Sequence, residues 1–234
     1  MDPGSKPAPR VVEPSLREIL GGRGGALDAS VPVIVFMLGW SIAETAAAAQ
    51  AVAWGAGSAV LSAAAVGAFR LVTGRRPRAV LLGLLGVAVA AAVALYTGRA
   101  VDFFLVQMVG NAASALAWMA SIVIRWPLLG LVVGTALGQR TRWRRDPDLL
   151  RGYQRASWVW VMQYVLRLAV FIPLYLADAV FALGIARLAL TGPLIIACVA
   201  LSWPVLRSAL PPGHSGLRHP RGRRVARGEA SHNS

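Results

Sequence analysis

Of the 24 lysine and arginine residues, 21 fall on one side of six apolar stretches and one falls on the other. The stretches are Val31–Ala49, Ala51–Phe69, Ala79–Tyr96, Phe103–Ile124, Ser157–Ala177 and Phe181–Leu206. Connecting pieces assigned alternately to two sides place four basic residues in the N-terminal tail, four in the second connection, seven in the fourth and six in the C-terminal tail. The opposite connections hold only Arg99, and Arg167 and Arg187 lie inside segments. Basic residues close to segment ends stay cytoplasmic. The pattern predicts an all-α protein with six transmembrane helices, sitting in a bacterial cytoplasmic (inner) membrane with both termini inside.

Composition agrees, since 56% hydrophobic and 15% charged residues make a chain far more apolar than an average soluble domain. A net charge of +14 raises the question of nucleic acid. A nucleic-acid-binding domain gathers its charge on one face of a soluble fold, whereas here the charge lines membrane boundaries, so no nucleic acid partner is expected. Attraction to anionic lipid headgroups at the cytoplasmic face explains the excess better, at about 1 kcal/mol per residue near the surface. Lys6 is the only lysine, which points to GC-rich coding and a high-GC bacterium. Cys198 is the only cysteine, and His214, His219 and His232 all lie in the C-terminal tail, so neither a disulfide framework nor a metal site is expected. The polar stretch ahead of the first apolar run is too long for a signal peptide, and that run reads as an uncleaved helix.

The chain divides into an N-terminal tail over 1–28, a membrane domain over 29–207 and a disordered basic tail over 208–234. In the first tail, Ser15-Leu16-Arg17-Glu18 is a capping box that opens a short interfacial helix, ended by Gly21-Gly22. The first two spans must form a hairpin, because one helix over 31–69 would be about 58 Å long, nearly twice the hydrocarbon core. The turn falls either at Gln50 or at Gly55–Gly57. Leu128–Gly138 is too short to cross and reads as an interfacial helix on the cytoplasmic face. Its Gly130, Gly134 and Gly138 form a smooth stripe suited to close packing, within the chain or between copies. Asp146-Pro147 caps a long helix whose first turns display Arg151 and Arg155. Trp126, Trp143, Trp158 and Trp160 gather at this boundary as an aromatic belt.

No catalytic motif is present: no Ser/His/Asp set, no HExxH and no phosphate-binding glycine loop. The expectation is a protein that is not an enzyme and needs no cofactor. Polar residues inside the spans remain. Arg167 lies near the midplane, where an arginine costs about 2.5–3.5 kcal/mol and usually faces a partner or water. Glu44 and Asn111 come to comparable depths by counting, with Gln107 and Gln163 nearby. A cluster of Glu44, Asn111 and Arg167 would be either a solute or proton site or interhelical glue. Asp102, Asp178 and Glu44 against Arg99 and Arg187 read as structural pairs near the outer face.

Several stretches carry a resemblance. They are Leu20-Gly21-Gly22 with Ala26-Leu27-Asp28, Thr73-Gly74-Arg75-Arg76-Pro77, Leu81–Gly86, and Tyr96-Thr97-Gly98-Arg99 with Asp102-Phe103-Phe104. Further along come Arg125-Trp126-Pro127-Leu128 with Gly130 and Gly134, and Trp143-Arg144-Arg145-Asp146-Pro147 with Tyr153, Ala156 and Trp158. Over residues 18–205 the chain resembles an actinobacterial family of integral membrane proteins known as domain of unknown function 3159. More faintly, Trp126-Pro127-Leu128 and the Trp158–Trp160 helix are similar to the intracellular septation protein A family. That likeness implies a link to envelope synthesis and division, although the loop over 138–158 is richer in arginine here. Neither family supplies catalytic residues.

Two functions follow as expectations. In the first, the chain is a structural or interaction component of the cell envelope. Arg144, Arg145, Arg151 and Arg155 would then engage anionic lipids or envelope protein partners. In the second it is a small-solute or proton-coupled transporter built on Glu44, Asn111 and Arg167, although the segment lengths carry no obvious inverted repeat. A lipid-modifying enzyme would need acids near the inner face, where only Asp28, Asp146 and Asp148 lie.

Overall fold

The computed structural model describes residues 22–74, 77–138 and 141–211, all helix and connection with no strand among them. Among the described residues seven α-helices follow in order: α1 Gly22–Thr45, α2 Ala51–Val72, α3 Pro77–Thr97, α4 Leu105–Val123, α5 Leu128–Ala136, α6 Pro147–Leu176 and α7 Val180–Ser208. Short 3-10 turns over Ala100–Phe104 and Arg142–Arg145 precede α4 and α6. The Ser15–Glu18 capping box and the basic tail beyond Pro211 lie outside the described residues. Gly22, expected to end a surface helix, instead lies in the first turn of α1.

Five described helical stretches are long and apolar enough to cross a membrane: Ala51–Val72, Val80–Thr97, Ala100–Val123, Pro147–Leu176 and Val180–Ser208. The chain is therefore a multi-pass membrane protein. The apolar part of α1, Ser30–Thr45, is shorter than these five. It forms the expected hairpin with α2, and the turn falls at the earlier of the two positions, with Ala47 and Gln50 both at positive φ.

The hairpin closes on small side chains. Ala51, Gly55, Ala59, Ala63 and Gly67 are buried at strict four-residue spacing along α2. A Cβ on Gly55 would lie 2.8 Å from Trp40 Cβ and 3.1 Å from the Phe36 carbonyl oxygen, so only glycine lets the two backbones approach this closely. Ser58 Oγ then donates across the gap to the Val35 carbonyl at 3.2 Å. Against α7, the Met37 side chain fills the place that a Cβ on Gly184 would take.

The turn over Ala100–Phe104 is buried throughout and drives two aromatic rings into the bundle. Phe103 stacks on Phe36 at 4.0 Å between centroids, and Phe104 meets Phe36 edge-on at 6.4 Å. Most other large apolar side chains point outward: Leu61, Leu82, Leu116, Ile196 and Met162 are all exposed. A soluble helix buries its large residues, whereas a helix in lipid packs on small ones and leaves the large ones to the acyl chains.

A second core lies at the arginine-rich end, where Leu129, Trp143, Leu149, Tyr153, Ala156 and Leu206 pack together. Asp146 caps α6 as expected, its carboxylate accepting from the Asp148 and Leu149 amides at 3.1 and 3.3 Å. The glycine stripe has two uses: Gly130 and Gly134 are buried within the chain, and Gly138, at φ +67°, turns the backbone out of α5. Trp143 is a correction to the aromatic belt, being fully buried with its indole across Gly130. Trp160 also packs internally, stacked on Trp118 at 5.2 Å and donating to Ser202 Oγ. Trp126 and Trp158 do face outward.

Candidate functional site

Three contacts set the antiparallel register of α4 against α6. Tyr175 Oη donates to Asp102 Oδ1 at 2.6 Å, Trp160 stacks on Trp118, and Gln154 Nε2 donates to the Ile122 carbonyl at 3.2 Å. At that register Asn111 falls level with Arg167, one helical turn from Gln163. All three are buried, at 6%, 6% and 3% exposed. Arg167 Nη2 donates to the Thr191 carbonyl on α7 at 3.2 Å, and its guanidinium lies 5.8 Å from the Tyr164 ring centroid. Its Nε has no partner, nor do Asn111 Nδ2, Gln163 Oε1, Ser157 Oγ, Tyr153 Oη and Gln107 Oε1. All six of these buried atoms belong to α4 or α6.

Glu44 does not join this layer. It is exposed in the last turn of α1. Trp40, one turn earlier, already sits against Phe181 at the start of α7. Thr191, which Arg167 reaches, lies ten residues further along α7, or about 15 Å at 1.5 Å per residue. The early hairpin turn puts Glu44 at a helix end, where counting along a longer first segment put it near the middle. Among the described residues, no Asp, Glu or His lies level with Arg167. The layer can hold a charge and donate or accept hydrogen bonds, but it contains no group that titrates near neutrality.

The pairs expected at the arginine-poor end form in part. Arg99 lies 3.3 Å from Asp178 and 3.9 Å from Asp102, with its guanidinium 5.6 Å from the Tyr175 ring centroid. Desolvation works against its charge, but attraction to Asp102 and the hydrogen bond to Asp178 outweigh it, and the Arg99 pKa is raised. The set clamps the turn after α3 to the α6–α7 corner. Glu44 and Arg187 stand outside it. Arg187 lines a half-open cavity of about 420 Å³ bordered mainly by α1, α2 and α3, together with Phe103, Val106 and Gln107. Nothing in the sequence announces this cavity, since most of its walls are ordinary aliphatic residues.

At the other end, the buried Trp143 anchors a turn whose arginines face outward. Arg142, Arg144 and Arg145 are exposed, as are Arg151 and Arg155 on the first turns of α6 and Arg207 on α7. Arg144 lies 4.0 Å over the Trp126 ring, and Arg151 is 3.6 Å from Asp148. The four arginines singled out from the sequence thus share one surface with Arg142 and Arg207. Burial of the indole ties the backbone of this turn to the core, while the arginine side chains on either side of it stay exposed.

A family model described as a protein of unknown function, DUF3159, matches residues 20–213. The chain belongs to the DUF3159 family. That match spans every described helix, beginning ahead of α1 and ending beyond α7. No curated protein and no solved structure matches the DUF3159 chain.

Proposed function

We propose that this DUF3159 protein is a structural or interaction component of the bacterial cell envelope. In this reading α1 is a sixth span, both termini are cytoplasmic, and α5 lies along the inner surface of the cytoplasmic membrane. The observation that carries it is the arginine surface held by Trp143: exposed guanidinium groups at one end of an apolar bundle, on a backbone that internal packing keeps in place. Such a surface suits anionic headgroups or an acidic partner protein, with attraction of about 1 kcal/mol per basic residue at the membrane surface. In this reading the role is non-enzymatic, because the sequence carries no nucleophile–base motif. In a deletion strain, Arg144→Ala combined with Arg145→Ala, Arg151→Ala and Arg155→Ala is expected to reach wild-type membrane levels yet fail to correct envelope defects. Full complementation by that variant removes the reading.

A second reading, small-solute transport, is favoured by the unpartnered polar atoms of Asn111, Gln163 and Arg167. It has less support in a proton-coupled form, since the layer lacks a titratable acid or histidine. Solute uptake that survives Arg167→Met unchanged would exclude it.

A further inference from the structure

The cavity beside α3 combines two properties that seldom occur together in a membrane helix bundle. Its walls are mainly aliphatic, with Val33, Val66, Val80, Leu84 and Val87 among them, and two arginines line it, Arg187 of α7 and Arg70 near the end of α2. Arg187 lies two turns into α7, too far from the helix end to count as a boundary residue. Among the described residues it has no ion pair. The acids toward that end are taken or remote: Asp102 is held by Tyr175 and Arg99, Asp178 by Arg99, and Glu44 faces outward at the end of α1. A charge at this depth is costly without a counter-charge. Gln107 of α4, which also lines the cavity, has a buried amide oxygen with no donor. At about 420 Å³ the space falls within the usual range for small-molecule sites, roughly 300–1,000 Å³.

We propose that this cavity binds an amphiphile carrying one anionic group, a carboxylate or phosphate seated on Arg187, with its apolar chain along α2 and α3. A small inorganic anion would leave the aliphatic walls uncovered, and a neutral chain would leave Arg187 uncompensated. An anion joined to a chain meets both demands, and an O–H in its headgroup would also supply the donor that Gln107 lacks. Gly83 and Gly86 border the cavity from α3, and a Cβ at either would meet nothing within 4 Å. They leave room on the side that a lipid-borne ligand would use. This site is separate from the arginine surface at the bundle end, so either assignment can fail without the other.

The test uses the full chain in nonionic detergent with cis-parinaric acid as fluorescent probe and its methyl ester as the uncharged match. The acid is expected to bind at least tenfold more tightly than the ester. Arg187→Gln should bring the two within about twofold of each other while leaving ester binding in place. Gly86→Leu, which fills open space and favours helix, should weaken both at least tenfold without lowering the unfolding temperature. Equal binding of acid and ester by the wild-type chain, a preference that survives Arg187→Gln, undiminished binding to Gly86→Leu, or no binding at all would each overturn the proposal. Displacement by phosphatidylglycerol but not palmitate assigns the ligand to the bilayer lipids, and the reverse assigns it to free fatty acids.

Discussion

Gly130 and Trp143 form a pair whose energetics can be worked out before any measurement. A Cβ on residue 130 would lie 2.7 Å from Trp143 Cη2 and 2.9 Å from both Cζ2 and Cζ3. Those atoms belong to a rigid ring that is itself fully buried, so the ring cannot swing aside. Overpacking of this kind costs about 1–3 kcal/mol. Gly130 is also inside α5, where alanine is better than glycine by about 1 kcal/mol. Gly130→Ala should therefore destabilise the wild-type chain by about 0–2 kcal/mol. Trp143→Ala should cost about 3–5 kcal/mol by removing a buried indole. In the Trp143→Ala background the clash is gone, and Gly130→Ala should become stabilising by about 1 kcal/mol. The sign reversal corresponds to a coupling of about 1–3 kcal/mol in a double-mutant cycle. Denaturant titration in micelles, followed by circular dichroism, measures all four proteins. An equal effect of Gly130→Ala in both backgrounds would refute the packing argument, and with it the claim that Trp143 anchors the arginine turn.

Three further outcomes follow from the same geometry. Tyr175→Phe removes the 2.6 Å hydrogen bond to a carboxylate that is 3% exposed, and unfolding measurements should register a loss of about 1.5–3 kcal/mol. Asp146→Ala deletes both amide contacts at the start of α6 and should cost about 0.5–2 kcal/mol, whereas Asp146→Asn should recover most of it in the same assay. Arg167→Met exchanges a buried cation, held by one carbonyl, for an apolar side chain, and should be neutral or stabilise by up to about 3 kcal/mol; a clear loss of stability would mark Arg167 as a helix fastener.

What could be read from the residues was whatever water or charge dictates. Asp146-Pro147 announces a helix start because amide groups need a cap wherever the chain leaves the bilayer. Gly138, read with Gly130 and Gly134 as one packing stripe, instead turns the backbone out of α5 at positive φ. Arg99, Asp102 and Asp178 were legible as partners because few charges lie near the arginine-poor end. The interior was much harder to read. In lipid both the buried and the exposed faces of a helix are apolar, so the periodicity that reveals a soluble core is absent. The four-residue spacing of Ala51, Gly55, Ala59 and Ala63 was the available signal for the α1–α2 contact, and it is hard to distinguish in a chain this rich in alanine. Trp143 looked like a belt residue since it neighbours three arginines, and only the packing of Gly130 and Tyr153 around it reveals a core position. Glu44 was misplaced in depth because the hairpin turn falls before Ala51. Arg187 was read as an outer-face partner because a sequence carries no record of the space left between aliphatic side chains.

The central claim is that the arginine-rich end of the bundle faces the cytoplasm with six helices crossing behind it. Cys198, the only cysteine, is buried, which leaves an introduced thiol as the reactive one. Single cysteines at Ser5, Tyr96 and Arg145, labelled with a membrane-impermeant maleimide in intact cells and again after lysis, test it directly. Tyr96→Cys should react in intact cells, and Ser5→Cys and Arg145→Cys only after lysis. Labelling of Arg145→Cys in intact cells would invert the topology, and labelling of Ser5→Cys alone alongside Tyr96→Cys would reduce the six crossings to five.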